Sequence, residues 1–184
     1  MAMPNLSDTK HNTMKILALD PSVMNRCGYA TLVLEWEKPD SVPLAKRGAL
    51  LKEEWDFGFF EINGLNFQMR CGDLRDHLTR LQFEFDILVC EWPAFYSGNK
   101  GAIAAQQGYT INLAGIAMYI AGWFQVRHVN LFLYTAPDWK GTVKKAVTAR
   151  RFFRMFNIHE MTVDHNAIDA CMMLVYHCKK KGLC

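Results

Sequence analysis

The amino-acid sequence predicts a single α/β domain in which helices flank a mixed sheet, and three patterns support this class. Short apolar runs that end at turn residues indicate buried strands. Longer segments with apolar residues three or four positions apart indicate amphipathic helices, and they alternate with the strands. The 184 residues contain no internal repeat and no linker-like stretch, so we expect one domain with one substantial core.

The predicted elements run from a hairpin into alternating helices and strands. Residues 1–13 are polar and are predicted to form a flexible arm, and the domain is expected to span residues 14–184. The predicted strands cover residues 15–20, 28–35, 47–51, 86–91 and 130–135, the third of them inside a long loop over residues 36–58. The predicted helices cover residues 73–85, 99–124, 144–156 and 164–178.

Composition and charge exclude several classes of protein. Hydrophobic residues make up 51% of the sequence and the net charge is +3, which suits an ordered globular chain that tolerates an acidic partner. The six cysteines form no CxxC pair, so neither a zinc module nor a disulfide framework is indicated, and a reducing cytoplasm is the expected location. The longest apolar stretch, residues 111–124, is too short to span a bilayer, so we expect no membrane association.

Two of the predicted strands end in a lone acidic residue. Asp20 closes the apolar run of residues 16–19 and precedes a Pro-Ser turn, and Glu91 closes the apolar run of residues 87–90. A carboxylate at the end of a buried strand is costly to desolvate unless a cation meets it. Each residue alone is more simply a turn or cap residue, but the pair suggests a shared divalent-ion site.

The last predicted helix offers a third carboxylate. Asp169 lies three and four positions after Asn166 and His165, so these side chains share a helix face. Oxygen-bearing side chains from two strand ends and one helix suit Mg²⁺ or Mn²⁺. Two such ions could clamp the attacking water and the leaving oxygen of a phosphodiester.

These motifs resemble those of the RuvC-type Holliday junction resolvases, which belong to the RNase H-like superfamily. The matching segments are the opening hairpin (Ile16-Leu17-Ala18-Leu19-Asp20-Pro21-Ser22 and Gly28-Tyr29-Ala30), the second acidic strand (Val89-Cys90-Glu91-Trp92-Pro93), the central helix around Gly108 and the terminal acidic helix over residues 165–170. The resemblance extends over residues 15–178 and implies an RNase H-like mixed sheet flanked by helices. The extra residues 36–58 look more like those of divergent phage members.

The resemblance implies a metal-dependent endonuclease that resolves four-way DNA junctions by phosphodiester hydrolysis. The ligands that it implies for two Mg²⁺ or Mn²⁺ ions are Asp20, Glu91 and Asp169. The family's fourth ligand, usually Asp or His, lies three positions before the last aspartate, where this chain has Asn166. We therefore expect His165 to complete the site or to orient the water, with Asp164 and Asn166 as alternatives.

Basic residues between the last strand and the last helix predict contacts with DNA. The resemblance implies that Lys140 and Lys144 neutralise charge at the cut, where an ammonium stabilises the transition state. The further backbone contacts that we expect are Lys145, Arg150 and Arg151. A run of charges is about as often a solvated helix face, so this assignment depends on the neighbouring carboxylates.

The segment after Glu91 carries aromatic residues. In the family an aromatic at this place acts on the junction, and Phe95 or Tyr96 matches it, with Lys100 following as a DNA contact. Aromatics beside a metal site can stack on unpaired bases or wedge a junction open. Trp92 is instead expected to pack in the core.

Two other functions are compatible with the same residues. The first is an RNase H-like nuclease that acts on flaps, forks or RNA–DNA hybrids, because a fold does not fix its substrate. The second is a non-catalytic DNA-binding module, which Asn166 at the fourth ligand position keeps open. The resemblance also implies a homodimer, since two symmetric nicks need two active sites, with the small-residue face of the central helix as its interface.

Overall fold

The computed structural model describes residues 12–22, 25–36, 50–81, 85–94, 108–125, 127, 129–158 and 163–183. The elements within these ranges are β1 (Asn12–Asp20), β2 (Arg26–Trp36), β3 (Leu50–Glu61), α1 (Phe67–Arg80), β4 (Ile87–Trp92), α2 (Tyr109–Gln125), β5 (Asn130–Thr135), α3 (Ala136–Lys140), α4 (Lys145–Phe156) and α5 (His165–Lys181). None of the described helices combines the length and the apolar character needed to cross a membrane.

The strands form one five-stranded mixed sheet in the order β3-β2-β1-β4-β5. β1, β2 and β3 are antiparallel neighbours, whereas β4 lies parallel to β1 and β5 lies parallel to β4. Residues 16–19 of the central strand β1 are completely buried, so both faces of this strand are covered. This explains why its sequence is a continuous apolar run rather than an alternating one.

Helices cover both faces of the sheet and create two apolar cores. Because side chains alternate along a strand, Ile16 and Ala18 face one core with Phe152 of α4 and Leu174 of α5. Leu17 and Leu19 face the other core. There they pack with Leu74 of α1 and with Ile116 and Ile120 of α2. The mixed sheet flanked by helices agrees with the predicted architecture.

The third strand is longer and lies later than predicted. It was expected over residues 47–51, but β3 spans Leu50–Glu61 and pairs with β2 along its length. Gly58, which looks like a turn residue in the sequence, lies opposite Tyr29, and a Cβ atom there would come within 3.0 Å of the tyrosine ring. The glycine therefore makes room for a cross-strand ring. Residues 37–49 lie outside the described ranges.

Several element boundaries also differ from the predictions. β1 begins at Asn12, which pairs with Trp36, so the hairpin includes two residues predicted to belong to the arm. α1 begins before residue 73, because Asn66 caps it by accepting a hydrogen bond from the Met69 amide at 2.9 Å. The predicted helix 99–124 is seen from residue 109, and residues 95–107 lie outside the described ranges. The short helix α3 was not predicted.

Candidate active site

The parallel pairing of β1 and β4 brings two predicted carboxylates to one edge of the sheet. Leu19 pairs with Cys90, so Asp20 and Glu91, each one residue further, leave their strands side by side. β5 ends next to them, because Glu91 pairs with Tyr134 and the chain enters α3 directly after Thr135. The carboxyl ends of three parallel strands thus supply the floor of the candidate site.

The third carboxylate, Asp169, arrives on the first turns of α5. This helix lies so close to β2 that a Cβ atom on Gly28 would be 2.0 Å from the Asn166 carbonyl oxygen. The amide Nδ2 of Asn166 also donates to the Arg26 carbonyl oxygen at 3.2 Å. Gly28 pairs with Asp20, so the same contact that docks the helix holds its start beside the first carboxylate.

The electrostatics show that these carboxylates influence one another. Burial, followed by the negative charges of Glu91 and Asp169, raises the pKa of Asp20 well above its usual value. Burial also raises the pKa of Glu91, although the Lys140 charge and the Trp139 hydrogen bond act against it. Burial and neighbouring negative charge thus both disfavour the ionised form of Asp20, and Lys140 and Lys145 offset this only in part.

Two consecutive residues of α3 bind two of the carboxylates. The Lys140 ammonium donates to Asp169 Oδ2 at 2.8 Å, and the Trp139 indole Nε1 donates to Glu91 Oε2 at 2.9 Å. Burial alone would lower the pKa of Lys140, but its hydrogen bond to Asp169 and the three nearby carboxylates raise it above the usual value. The predicted placement of Lys140 beside the acidic residues agrees with this geometry.

Both ends of α3 are fixed, which orients these two side chains. At its start, Asp138 Oδ2 accepts hydrogen bonds from the Thr135 amide at 2.7 Å and the Thr135 hydroxyl at 2.6 Å. These bonds lower the pKa of Asp138. At its end, Gly141 has φ 58°, a left-handed conformation that favours glycine and turns the chain away directly after Lys140.

The three alternatives for a fourth ligand have different surroundings. Asp164 caps α5 by accepting from the Asn166 amide at 2.9 Å, and it pairs with Arg26 at 2.8 Å. The Asn166 amide nitrogen is bound to the Arg26 carbonyl, which leaves only its oxygen available. His165 is exposed and makes no hydrogen bond or ion pair with a described residue. Both Asp164 and Asn166 thus have a structural role that anchors α5.

The predicted DNA contacts fall into two groups. On α4, Arg150 and Arg151 are exposed, and the charge of Lys145 opposes in part the rise that burial causes in the pKa values of Asp20 and Glu91. Lys144 is exposed at the helix N-cap. The remaining predicted contacts, Phe95, Tyr96 and Lys100, lie outside the described residues. Trp92 packs partly buried against the core of α1 and α2, as predicted.

As they stand, the described residues include no group of three His, Cys, Asp or Glu side chains close enough to hold a metal ion. Two of the carboxylates are instead bound by Lys140 and Trp139. The donor set nevertheless fits a hard cation, because its groups are carboxylate oxygens, the ligands that such ions prefer. Burial, followed by the charges of Glu91 and Asp169, raises the pKa of Asp20, and a bound cation would oppose this rise.

Sequence reasoning did not identify Trp139 as a residue of the site. Its indole reaches Glu91 only because α3 turns the chain back across the end of β4, and a five-residue helix has too few positions to show a periodic pattern. Two features of the sequence could have indicated its role. Trp139 directly precedes Lys140, and the segment begins with a Thr-Ala-Pro-Asp pattern that is typical of a helix start.

The fold is similar to solved structures of one bacterial protein. T. thermophilus RuvC in complex with Holliday junction substrate matches with a TM-score of 0.59 at 16% sequence identity, covering 92% of this chain and 96% of that chain. A second Thermus thermophilus RuvC structure matches with a TM-score of 0.50 at 15% identity, covering 91% and 97%. No protein-family model and no curated protein matches the sequence. The likeness confirms the predicted RNase H-like fold.

Proposed function

We propose that this chain, whose fold is RuvC-like, is a metal-dependent endonuclease that cuts branched DNA, with four-way junctions as its main substrate. The observation that carries the proposal is the meeting of Asp20, Glu91 and Asp169 from β1, β4 and α5 at one edge of the sheet. The structural neighbour bound to a Holliday junction supports a branched DNA as the substrate.

The residues of the site suit hydrolysis of a phosphodiester. Asp20, Glu91 and Asp169 would hold Mg²⁺ or Mn²⁺, and ions bound there supply stabilisation of negative charge and an activated water. Lys140 would stabilise charge that develops on the phosphate. His165, exposed at the first position of α5, is available to bind an ion or to orient the water.

The exposed face of α4 supports a contact with the DNA backbone. Val147, Arg150, Arg151 and Arg154 line an open groove of about 240 Å³. The three arginines are exposed and form no ion pair with any residue in the described ranges. Because α4 starts at Lys145, whose charge reaches Asp20 and Glu91, a strand lying along the helix leads towards the carboxylates.

An exposed apolar face on α2 supports a homodimer. Ile111 is 72% exposed and Met118, two turns later on the same face, is 63% exposed. Gly122 continues this face, and a Cβ atom there would meet nothing within 4 Å. Two copies joined through this helix would place two sites on one symmetric junction. The molar mass in solution, measured by light scattering, tests this arrangement.

Substitution of the three carboxylates tests the proposed activity. We expect Asp20→Asn, Glu91→Gln and Asp169→Asn each to abolish cleavage of a synthetic four-way junction and to leave junction binding near normal, since each removes a ligand charge without changing shape. Cleavage gels and binding titrations measure the two effects. Asp76→Asn on α1, whose carboxylate pairs with the exposed Arg75 away from the site, is the matched control. Wild-type nicking by any of the three variants would remove that residue from the site.

Flaps, replication forks and RNA–DNA hybrids, tested as substrates in the same cleavage assay, separate a junction resolvase from an RNase H-like nuclease that acts on a different substrate.

The non-catalytic alternative is favoured by one observation, the presence of Asn166 where the family has Asp or His. Calorimetry with Mn²⁺ separates it from the enzyme. We expect the wild-type chain to bind Mn²⁺ and Asp20→Asn to lose that binding.

A further inference from the structure

We propose that Trp139 is a positioning residue that holds Glu91 in its place in the site through the indole N–H. This inference rests on the proposed nuclease function and adds a residue that the resemblance does not assign. The hydrogen bond from Nε1 to Glu91 Oε2 is 2.9 Å long and partly buried.

Trp139 contacts two parts of the site at once. Its N–H binds Glu91, while the Lys140 ammonium lies 4.5 Å from the centre of its ring and donates to Asp169. A cation over an indole face is attracted by the ring. One side chain thus links the carboxylate of β4 to the cation that pairs with the carboxylate of α5.

The indole has little freedom to leave this position. It packs against the core formed by α4 and α5, and α3 is fixed by the Asp138 bonds to Thr135 and by the turn at Gly141. Because the Glu91 carboxylate accepts a hydrogen bond from this fixed indole, it can adopt only a few orientations. Residues that bind metal-ligating groups in this way typically change metal affinity or activity about 10–100-fold when they are removed.

Trp139→Phe removes the N–H and keeps an aromatic ring at the same place. The chain also offers a matched control, since the Trp55 indole donates to the Glu53 carboxylate at 2.6 Å on the exposed edge strand β3. Trp55→Phe therefore breaks the same kind of bond away from the site. If Trp139→Phe does not fold, incorporation of the benzothiophene analogue of tryptophan keeps the shape and removes only the N–H.

The first measurement is calorimetric titration of the full chain with Mn²⁺ alone, together with kcat and KM on a synthetic four-way junction. We expect Trp139→Phe to weaken Mn²⁺ binding about 10–100-fold and to lower kcat by a similar factor with KM unchanged, and Trp55→Phe to match the wild type. Equal values for the two variants would overturn the inference and leave the proposed nuclease intact. A wild-type chain that neither binds Mn²⁺ nor cuts DNA overturns both.

The second measurement observes the hydrogen bond itself and needs neither metal nor DNA. The indole N–H resonance of Trp139, assigned by its absence in Trp139→Phe, should shift and exchange faster with solvent in Glu91→Ala. The Trp55 resonance should stay unchanged in the same variant. A Trp139 resonance that does not respond to Glu91→Ala would show that no such bond exists in solution.

Discussion

His177 is a buried titratable residue that takes no part in the proposed chemistry. Its side chain is 0% exposed, and its Nδ1 lies 3.1 Å from the Tyr134 hydroxyl oxygen. Its Nε2 has no hydrogen-bond partner among the described residues. Burial, together with the charges of Lys181 and Lys180, lowers the pKa of the imidazole from 6.5 to about 4. The folded chain therefore keeps a neutral imidazole at a pH where the unfolded chain has bound a proton.

We expect the free energy of unfolding to fall between pH 6.5 and about pH 4, because only the unfolded state takes up this proton there. Above that window neither state is protonated, and below it both are. The full loss is about 3 kcal/mol. Urea unfolding near neutral pH and near pH 5 measures the greater part of this loss, with His177→Gln losing less stability than the wild type. His77→Gln, which removes a ring stacked on Phe60, is the control. An equal loss in His177→Gln and the wild type would contradict the assignment.

Among single residues, those of the site could be predicted to different degrees. Asp20 and Glu91 were predicted to lie together because two apolar runs each end in an acidic residue, a recurrence that a turn or cap role for either one does not explain. Trp139 was not found, since a tryptophan among apolar residues is expected in a core and only the turn of α3 aims its N–H at Glu91. The direction in which a side-chain N–H points depends on the tertiary structure, which the local sequence does not show.

At the scale of elements, the contact between β2 and α5 sets the position of Asp169. Gly28 lets the backbone of α5 approach so closely that an added Cβ would lie 2.0 Å and 2.1 Å from the Asn166 carbonyl atoms. These are backbone atoms, so no rotation of a side chain can relieve the overlap. The Arg26–Asp164 ion pair and the Asn166–Arg26 hydrogen bond lie beside this contact.

Gly28→Ala should therefore displace the first turn of α5 and with it Asp169. We expect a loss of about 1–3 kcal/mol in unfolding free energy, as for other overpacked sites, and a near-complete loss of junction cleavage. Thermal unfolding and the cleavage assay measure the two effects. Gly72→Ala on α1 is the control, because a Cβ there meets nothing within 4 Å. It should be neutral or slightly stabilising. An active Gly28→Ala would show that α5 can sit further from the sheet.

The strands that the sequence located well are the ones with an uninterrupted apolar run. β4 and β5 were predicted to within a residue at each end, since apolar runs with turn residues at their ends are distinctive. β3 was misplaced because it mixes charged residues such as Glu53 and Asp56 with aromatics and has no continuous apolar run. Its position in the sheet is determined by its pairing with β2, and such a contact between distant segments leaves no local pattern in the sequence.

For the whole molecule, a net charge of +3 is too small to indicate DNA binding by itself. The distribution of the charged residues over the surface is more informative. α4 has no acidic residue and carries its arginines on the solvent side, next to the site. Arg75 on α1 is instead paired with Asp76 at 3.0 Å on the opposite face of the sheet. The proposed DNA path therefore lies on the α4 and α5 side.

Salt dependence tests this path. We expect Arg150→Gln, Arg151→Gln and Arg154→Gln each to lower the slope of log affinity against log salt by about 0.9 for every phosphate contact that is lost. Fluorescence anisotropy with a labelled junction measures the slope at several salt concentrations. Arg75→Gln should leave the slope unchanged. Slopes that match the wild type in all three α4 variants would mean that this face points away from the DNA.

Asp20 lies on the first described strand and Asp169 on the last described helix, so the site is completed only when distant parts of the chain meet. During translation, a chain that is still held on the ribosome before α5 has emerged carries two of the three carboxylates. The proposed cutting activity would thus begin only after residue 169 has left the exit tunnel. A truncated product that stops earlier would lack the third carboxylate and, on the proposed mechanism, would not cut DNA.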